Sequence, residues 1–129
     1  PEEGGNGHWY GIIPQELYWD DARVMAEDMT IAGLQGYLAT VTSPEENAFI
    51  LNEVLAGTHQ QSVEDEFHLG GRWVDELWYW VTTNEAWSWV NWAPGEPNNW
   101  GIETAVSMWG PNNTASNRPP GTWRAREMS

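Results

Sequence analysis

The sequence predicts an α+β domain, with two helices in its first half and short strands around a long irregular loop in its second. Three observations carry that expectation. Ala22, Met25, Ala26 and Met29 keep i, i+3, i+4, i+7 spacing, which makes one apolar helix face. Ser43-Pro44-Glu45-Glu46 combines a capping box with proline at the first helical position. Beyond residue 66, apolar runs of strand length alternate with turn-rich segments.

The elements follow in order. Residues 9–13 read as a short strand stopped by Pro14. Trp19 opens the first helix, and Asp20 and Asp21 fall in its first turn, where acidic side chains favour the macrodipole. Residues 37–41 alternate as a strand. The second helix runs from the capping box to about Leu55, where Ala56-Gly57 stops it. Polar residues 58–66 form an exposed connection, and residues 67–71, 78–81 and 105–108 are further strands. Between the last two lies a stretch, 82–101, too long for an ordinary connection in a compact domain, and such loops tend to be functional.

That loop contains the most informative residues. Asn91-Trp92-Ala93-Pro94-Gly95-Glu96-Pro97-Asn98-Asn99-Trp100, followed by Glu103, places a carboxylate, an amide and a second carboxylate around a proline-stiffened turn. Hard cations such as calcium take oxygen ligands of these kinds. The same Pro, Gly and Asn residues also serve any tight surface turn.

The flanking words favour the first reading. Tyr18-Trp19-Asp20-Asp21-Ala22-Arg23, Gly36-Tyr37-Leu38-Ala39-Thr40-Val41, Glu45-Glu46-Asn47-Ala48-Phe49-Ile50, Phe67-His68-Leu69-Gly70-Gly71, Trp78-Tyr79-Trp80-Val81, the run from Asn91 to Asn98, Glu103-Thr104-Ala105-Val106-Ser107-Met108 and Gly121-Thr122-Trp123 occur in this order. Together they resemble the C-type lectin-like domain over nearly the whole chain. The resemblance implies a C-type lectin-like fold, two helices flanking small antiparallel sheets with a long irregular loop region. It also implies ligand-binding roles for Glu96, Asn98 and Glu103, and Glu96-Pro97-Asn98 is similar to the version associated with mannose-type sugars.

Two departures bear on function. Where the family pattern has Trp-Asn-Asp, this chain reads Trp123-Arg124-Ala125, so the metal set Glu96, Asn98, Glu103 is incomplete. Arg124 is expected to take the cation's role, bridging Glu96 and Glu103; the competing expectation is that Asn112, Asn113 or Asn117 completes a calcium shell. The family also ends with a strand that returns beside the first. Only Arg124 to Ser129 follow Trp123, two arginines and a glutamate among them, which suits a buried strand poorly. The last family strand is therefore expected to be missing, leaving an open edge near His8 to Ile13 for pairing with another chain; a tail absent from an excised piece is the plainer explanation.

Composition bounds the rest. The 129 residues suit one domain, residues 1–129, with a single core. Nineteen acidic side chains face 5 basic ones, all arginine, for a net charge of -14. Nucleic acid and anionic membrane surfaces are poor partners for that charge. No run approaches the length needed to cross a bilayer, and no signal-like segment opens the chain. There is no cysteine; Ala26 and Ala105 stand where animal members of the family would carry cysteines, which resembles bacterial or phage members. Asn112-Asn113-Thr114 matches a glycosylation acceptor, meaningful only in a eukaryotic source.

Eleven tryptophans are more than a core of this size requires. Trp87, Trp89, Trp100 and Trp109 are the candidates for exposure, and Trp100 beside Glu96 and Asn98 would form a platform for a sugar ring. Packing within the core or loop is the competing role for each. Enzymatic constellations are not found: His8, His59 and His68 are scattered, and no nucleophile elbow occurs. A glycosidase using Glu96 and Glu103 is the enzyme alternative.

The sequence thus points to a non-catalytic, extracellular or cell-surface binding module. Its first function is calcium-dependent binding of mannose-type carbohydrate. The alternative is calcium-independent protein binding or assembly, self-association through the first strand included.

Overall fold

A computed structural model describes residues 2–3, 8–13, 17–31, 33–55, 66–83, 85–98, 103–111, 113 and 116–127. Two short antiparallel pairs come first in the sheet inventory: β1 (Glu2–Glu3) with β2 (Trp9–Tyr10), and β3 (Thr30–Ile31) with β4 (Leu34–Gln35). Helix α1 (Trp19–Asp28) lies between them and helix α2 (Pro44–Phe49) follows, continuing into a π-helical turn, Ile50–Val54. The second half is a four-stranded antiparallel sheet of β5 (Glu66–Val74), β6 (Leu77–Trp80), β7 (Glu103–Trp109) and β8 (Trp123–Glu127), in the order β6-β5-β7-β8.

Local chemistry explains the helices. The Ser43 hydroxyl accepts the Glu46 backbone N–H at 3.1 Å, and Pro44 occupies the first turn, as the capping box predicts. Helix α1 has no side-chain cap; Trp19 holds its start instead, buried and donating its indole N–H to the Leu69 carbonyl at 2.7 Å. Ala22 and Ala26 face the core with Leu38 and Ala105, so the two alanines at the family's cysteine positions share one apolar cluster. Met29, expected on that face, lies past the helix end and is exposed.

Residues 37–41, expected to form a strand, enter none and bend at Leu38. Their tie to the sheet is a single backbone bond, Gly70 N–H to the Ala39 carbonyl at 2.8 Å. The crossing is close: a Cβ on Gly70 would stand 2.8 Å from the Leu38 carbonyl oxygen, and one on Gly36 only 2.3 Å from that of Ala26. Strand pairing falls instead to the preceding hairpin, β3 with β4.

The segment after Trp123, a poor candidate for a buried strand, does enter a sheet. Strand β8 lies at the sheet edge beside β7, with Trp123 and Ala125 fully buried and Arg124 and Arg126 on the other face. Among the described residues, β2 pairs with β1 alone.

Trp123 is the hub of an aromatic core. Its ring meets those of Trp80, Trp87, Trp89 and Trp92 edge-on, with centroids 5.6–6.0 Å apart. Trp78 stacks on Trp87 at 5.7 Å. Edge-to-face pairs of this kind contribute about 0.5–1.5 kcal/mol each beyond the area they bury. Most of the tryptophan excess therefore goes into seating the long loop on the sheet.

Candidate functional site

The loop is fastened before it reaches the site. Trp123 donates its backbone N–H to the Asn91 carbonyl and accepts from Ala93 N–H, each at 2.8 Å, and the Asn91 amide donates to the Gly121 carbonyl at 2.8 Å. Gly95, with φ of 83°, turns the chain, and the Glu96 N–H closes the turn on the Ala93 carbonyl at 3.0 Å. The Glu96-Pro97 peptide bond is cis.

Glu96 then reaches back to β8, where its Oε1 accepts the backbone N–H of Ala125 at 3.0 Å. One carboxylate oxygen is thus committed to holding the loop against the strand. Asn98 and Glu103 are different: Asn98 Oδ1 and Glu103 Oε2 are buried and have no hydrogen-bond partner among the described residues. Burying acceptors without donors is costly, at about 1–3 kcal/mol each and more for a charged group. Oxygen atoms of this kind suit a hard cation. Among the described residues no three or more His, Cys, Asp and Glu side chains cluster as a metal site.

Arg124 is not part of this arrangement. Strand alternation sends its side chain to the opposite face of β8, 3.9 Å from Glu66 and 5.3 Å from the Trp109 ring centroid, rather than between Glu96 and Glu103. Glu66 also pairs with Arg126 and accepts the Ser107 hydroxyl at 2.7 Å. Trp109, a candidate for exposure, is buried, and the Arg118 guanidinium covers its ring at 4.6 Å. Trp87 and Trp89 are half-buried in the aromatic core. Trp100 and Asn112 lie outside the described residues; Asn113 is buried and Asn117 exposed.

The motifs do not announce one contributor to the site, Ala125, or the carboxylate on the opposite face of β8, Glu66. Ala125 serves through its backbone, which no side-chain motif can announce. Glu66 was placed in a polar connection, although arginines at alternate positions, 124 and 126, signalled a strand face in need of a carboxylate.

Comparison with known proteins bears on the whole chain. No family model matches it. Halomucin from Haloquadratum walsbyi is 31% identical over 112 residues, covering 76% of this chain and 1% of that protein. A perlucin-like protein from Mytilus galloprovincialis is 28% identical over 107 residues, covering 78% of this chain and 60% of the relative. The chain therefore spans less than two thirds of either relative. Among solved structures, the cow C-type carbohydrate-recognition domain of CD23, determined in the presence of a GlcNAc2Man3 oligosaccharide, superposes with a TM-score of 0.63 at 26% identity, covering 88% of this chain and 72% of that one. This chain has the C-type lectin-like fold.

Within that fold the neighbours are not uniform. A calcium-independent type II antifreeze protein superposes with a TM-score of 0.60 at 22% identity, covering 86% of this chain and 70% of that one. The lectin-like domain thus shares an architecture with carbohydrate-recognition modules, while the fold leaves the ligand to the loop.

Proposed function

We infer that this domain is a non-catalytic, extracellular carbohydrate-binding module, in which Glu96, Asn98 and Glu103 hold calcium and contact a mannose-type sugar. The observation that carries the reading is the pair of buried oxygens, Asn98 Oδ1 and Glu103 Oε2, which have no hydrogen-bond partner among the described residues, while the Glu96 carboxylate is already held by β8. When bound, calcium would supply a Lewis-acidic centre to which vicinal sugar hydroxyls can add as ligands. The chain's own part is orientation: carboxylate oxygens accept hydrogen bonds from those hydroxyls, and the Asn98 amide N–H2 donates to them. Three side chains fall short of the six to eight ligands calcium takes, so water and backbone carbonyls would have to complete the set. Such a sparse set suits the roughly 10⁻⁴–10⁻³ M affinities of extracellular calcium modules, and it favours a location outside the cell.

A cation-free version of the same site is the second reading. It is favoured by Ala125, which puts a methyl group where the family pattern carries a carboxylate, and by the calcium-independent structural neighbour. A glycan array probed with and without calcium tests both. Calcium-dependent binding of mannose-type glycans supports the first reading, equal binding in chelator supports the second, and the absence of glycan binding in either buffer rejects carbohydrate as the ligand.

A further inference from the structure

A second feature shares no residue with the Glu96 loop. A cleft of about 1110 Å³ opens beside residues 8–13, walled by Ala22 and Ala26 of α1 and by Val54 and Leu55, with Phe67 and Leu69 of β5 along it. That volume exceeds the roughly 300–1,000 Å³ of small-molecule pockets. Its rim carries Trp9, Tyr18, Met29 and Leu34, four of the large apolar side chains that this domain leaves 44–58% exposed. Scattered exposed apolar groups need no explanation, but four around one apolar cleft mark a surface that binds something.

The backbone says what kind of ligand fits. Gly11, Ile12 and Ile13 follow β2 in the chain, line the cleft and enter no strand pairing among the described residues. An extended chain can therefore add hydrogen bonds at that edge while sending alternate side chains into the apolar interior. Charge narrows the choice further. Helix α1 carries Asp20, Asp21, Glu27 and Asp28 against Arg23 alone, and the stretch 44–54 carries Glu45, Glu46 and Glu53 with no basic residue. Inside the cleft, Glu66 is already paired with Arg126. None of these acidic groups on α1 or in 44–54 lines the cleft itself, but a second copy of a domain with a net charge of -14 is repelled by the acidic surface of the elements that wall it, whereas a strand with basic flanks is attracted.

We propose that this cleft binds an extended segment of a separate polypeptide, apolar at alternate positions and flanked by basic residues, which adds as a strand along residues 11–13. The proposal is independent of the sugar reading and stands or falls without it.

The test uses a capped probe peptide alternating valine and threonine between pairs of arginines, titrated against the amide spectrum and tryptophan fluorescence of the domain. Saturable binding with shifts at the Gly11, Ile12 and Ile13 amides is expected, weakened roughly tenfold when glutamates replace the flanking arginines. The exposed rim variants Met29→Ser and Leu34→Ser, which remove apolar contact without changing charge and are checked for fold by circular dichroism, should each weaken binding by a similar factor. No saturable binding, or binding indifferent to the rim variants, overturns the proposal. Concentration-dependent dimerisation that excludes the probe would replace the partner with a second copy. A polypeptide bearing additional flanking sequence that no longer takes the probe would replace it with an internal strand.

Discussion

The indole N–H of Trp123 donates to the side-chain oxygen of Asn47 at 2.9 Å, joining residues 76 positions apart. The Asn47 amide in turn donates to the Gly121 carbonyl at 3.0 Å, so one buried side chain couples α2 to the start of β8. Replacing it with leucine leaves the indole N–H unsatisfied. The expected cost is about 2–4 kcal/mol, the sum of one stranded donor and one lost acceptor contact. Urea denaturation of Asn47→Leu measures this, and a loss below about 0.5 kcal/mol would show that water replaces the asparagine.

His68 predicts a pH dependence. Its ring is mostly buried, Nε2 lies 2.6 Å from the Leu17 carbonyl, and Nδ1 is buried with no partner among the described residues. Burial holds the imidazole pKa below its usual 6.5, against an opposing contribution from the Leu17 hydrogen bond. The unfolded chain therefore binds a proton first as pH falls through 6.5, and folding stability is lost between that value and the lower folded pKa. Above this window the contribution is fully present. Denaturation midpoints measured from pH 7.5 down to pH 5 should fall more in the native protein than in His68→Gln, once carboxylate effects common to both are subtracted.

These two residues show what a sequence can display. The capping box at Ser43 was legible because its bonds span three residues, and the helix face of Ala22 and Ala26 because burial repeats with the helical period. The alternation in residues 37–41 was misleading: it records one buried side, Leu38 and Thr40 with Val41, in a chain held to the sheet by a single backbone bond. Arg124 was assigned to the loop carboxylates because a motif fixes order along the chain but not the strand face. The period of two that buries Trp123 and Ala125 sends Arg124 away from Glu96. Within the site, Glu96, Asn98 and Glu103 could be named from sequence, but the bond from Ala125 N–H to Glu96 depends on register between elements 29 residues apart and was invisible.

Ala125 supplies a test of the cation. Its side chain is fully buried and its N–H holds Glu96, so Ala125→Asp brings a third carboxylate beside that group. In chelator, the variant should unfold at lower temperature than the parent through like-charge repulsion and desolvation. Millimolar calcium should restore it and strengthen binding at least tenfold relative to the parent, because ligand charge count governs affinity. Calorimetry in both buffers reads the two effects. A variant equally destabilised with and without calcium would mean that no cation sits beside Glu96.

The hairpin between β5 and β6 offers a gain in stability. Val74 pairs with Leu77, and the two residues between them, Asp75 and Glu76, take φ values of 51° and 67°. A two-residue hairpin turn with both centres left-handed is of type I′, whose twist matches the flanking strands and which strongly favours Asn-Gly. A residue with a Cβ costs roughly 1–2 kcal/mol in that region, aspartate less because its short side chain bonds locally, and glutamate has no such compensation. Glycine gives back about 0.5–1 kcal/mol in unfolded-state entropy. The double change Asp75→Asn, Glu76→Gly is therefore expected to stabilise the domain by about 1 kcal/mol, raising the melting temperature by roughly 4 °C. Because both side chains are exposed, glycan binding should be unchanged, and a fall in melting temperature would mean that these side chains make contacts worth more than the strain they cause.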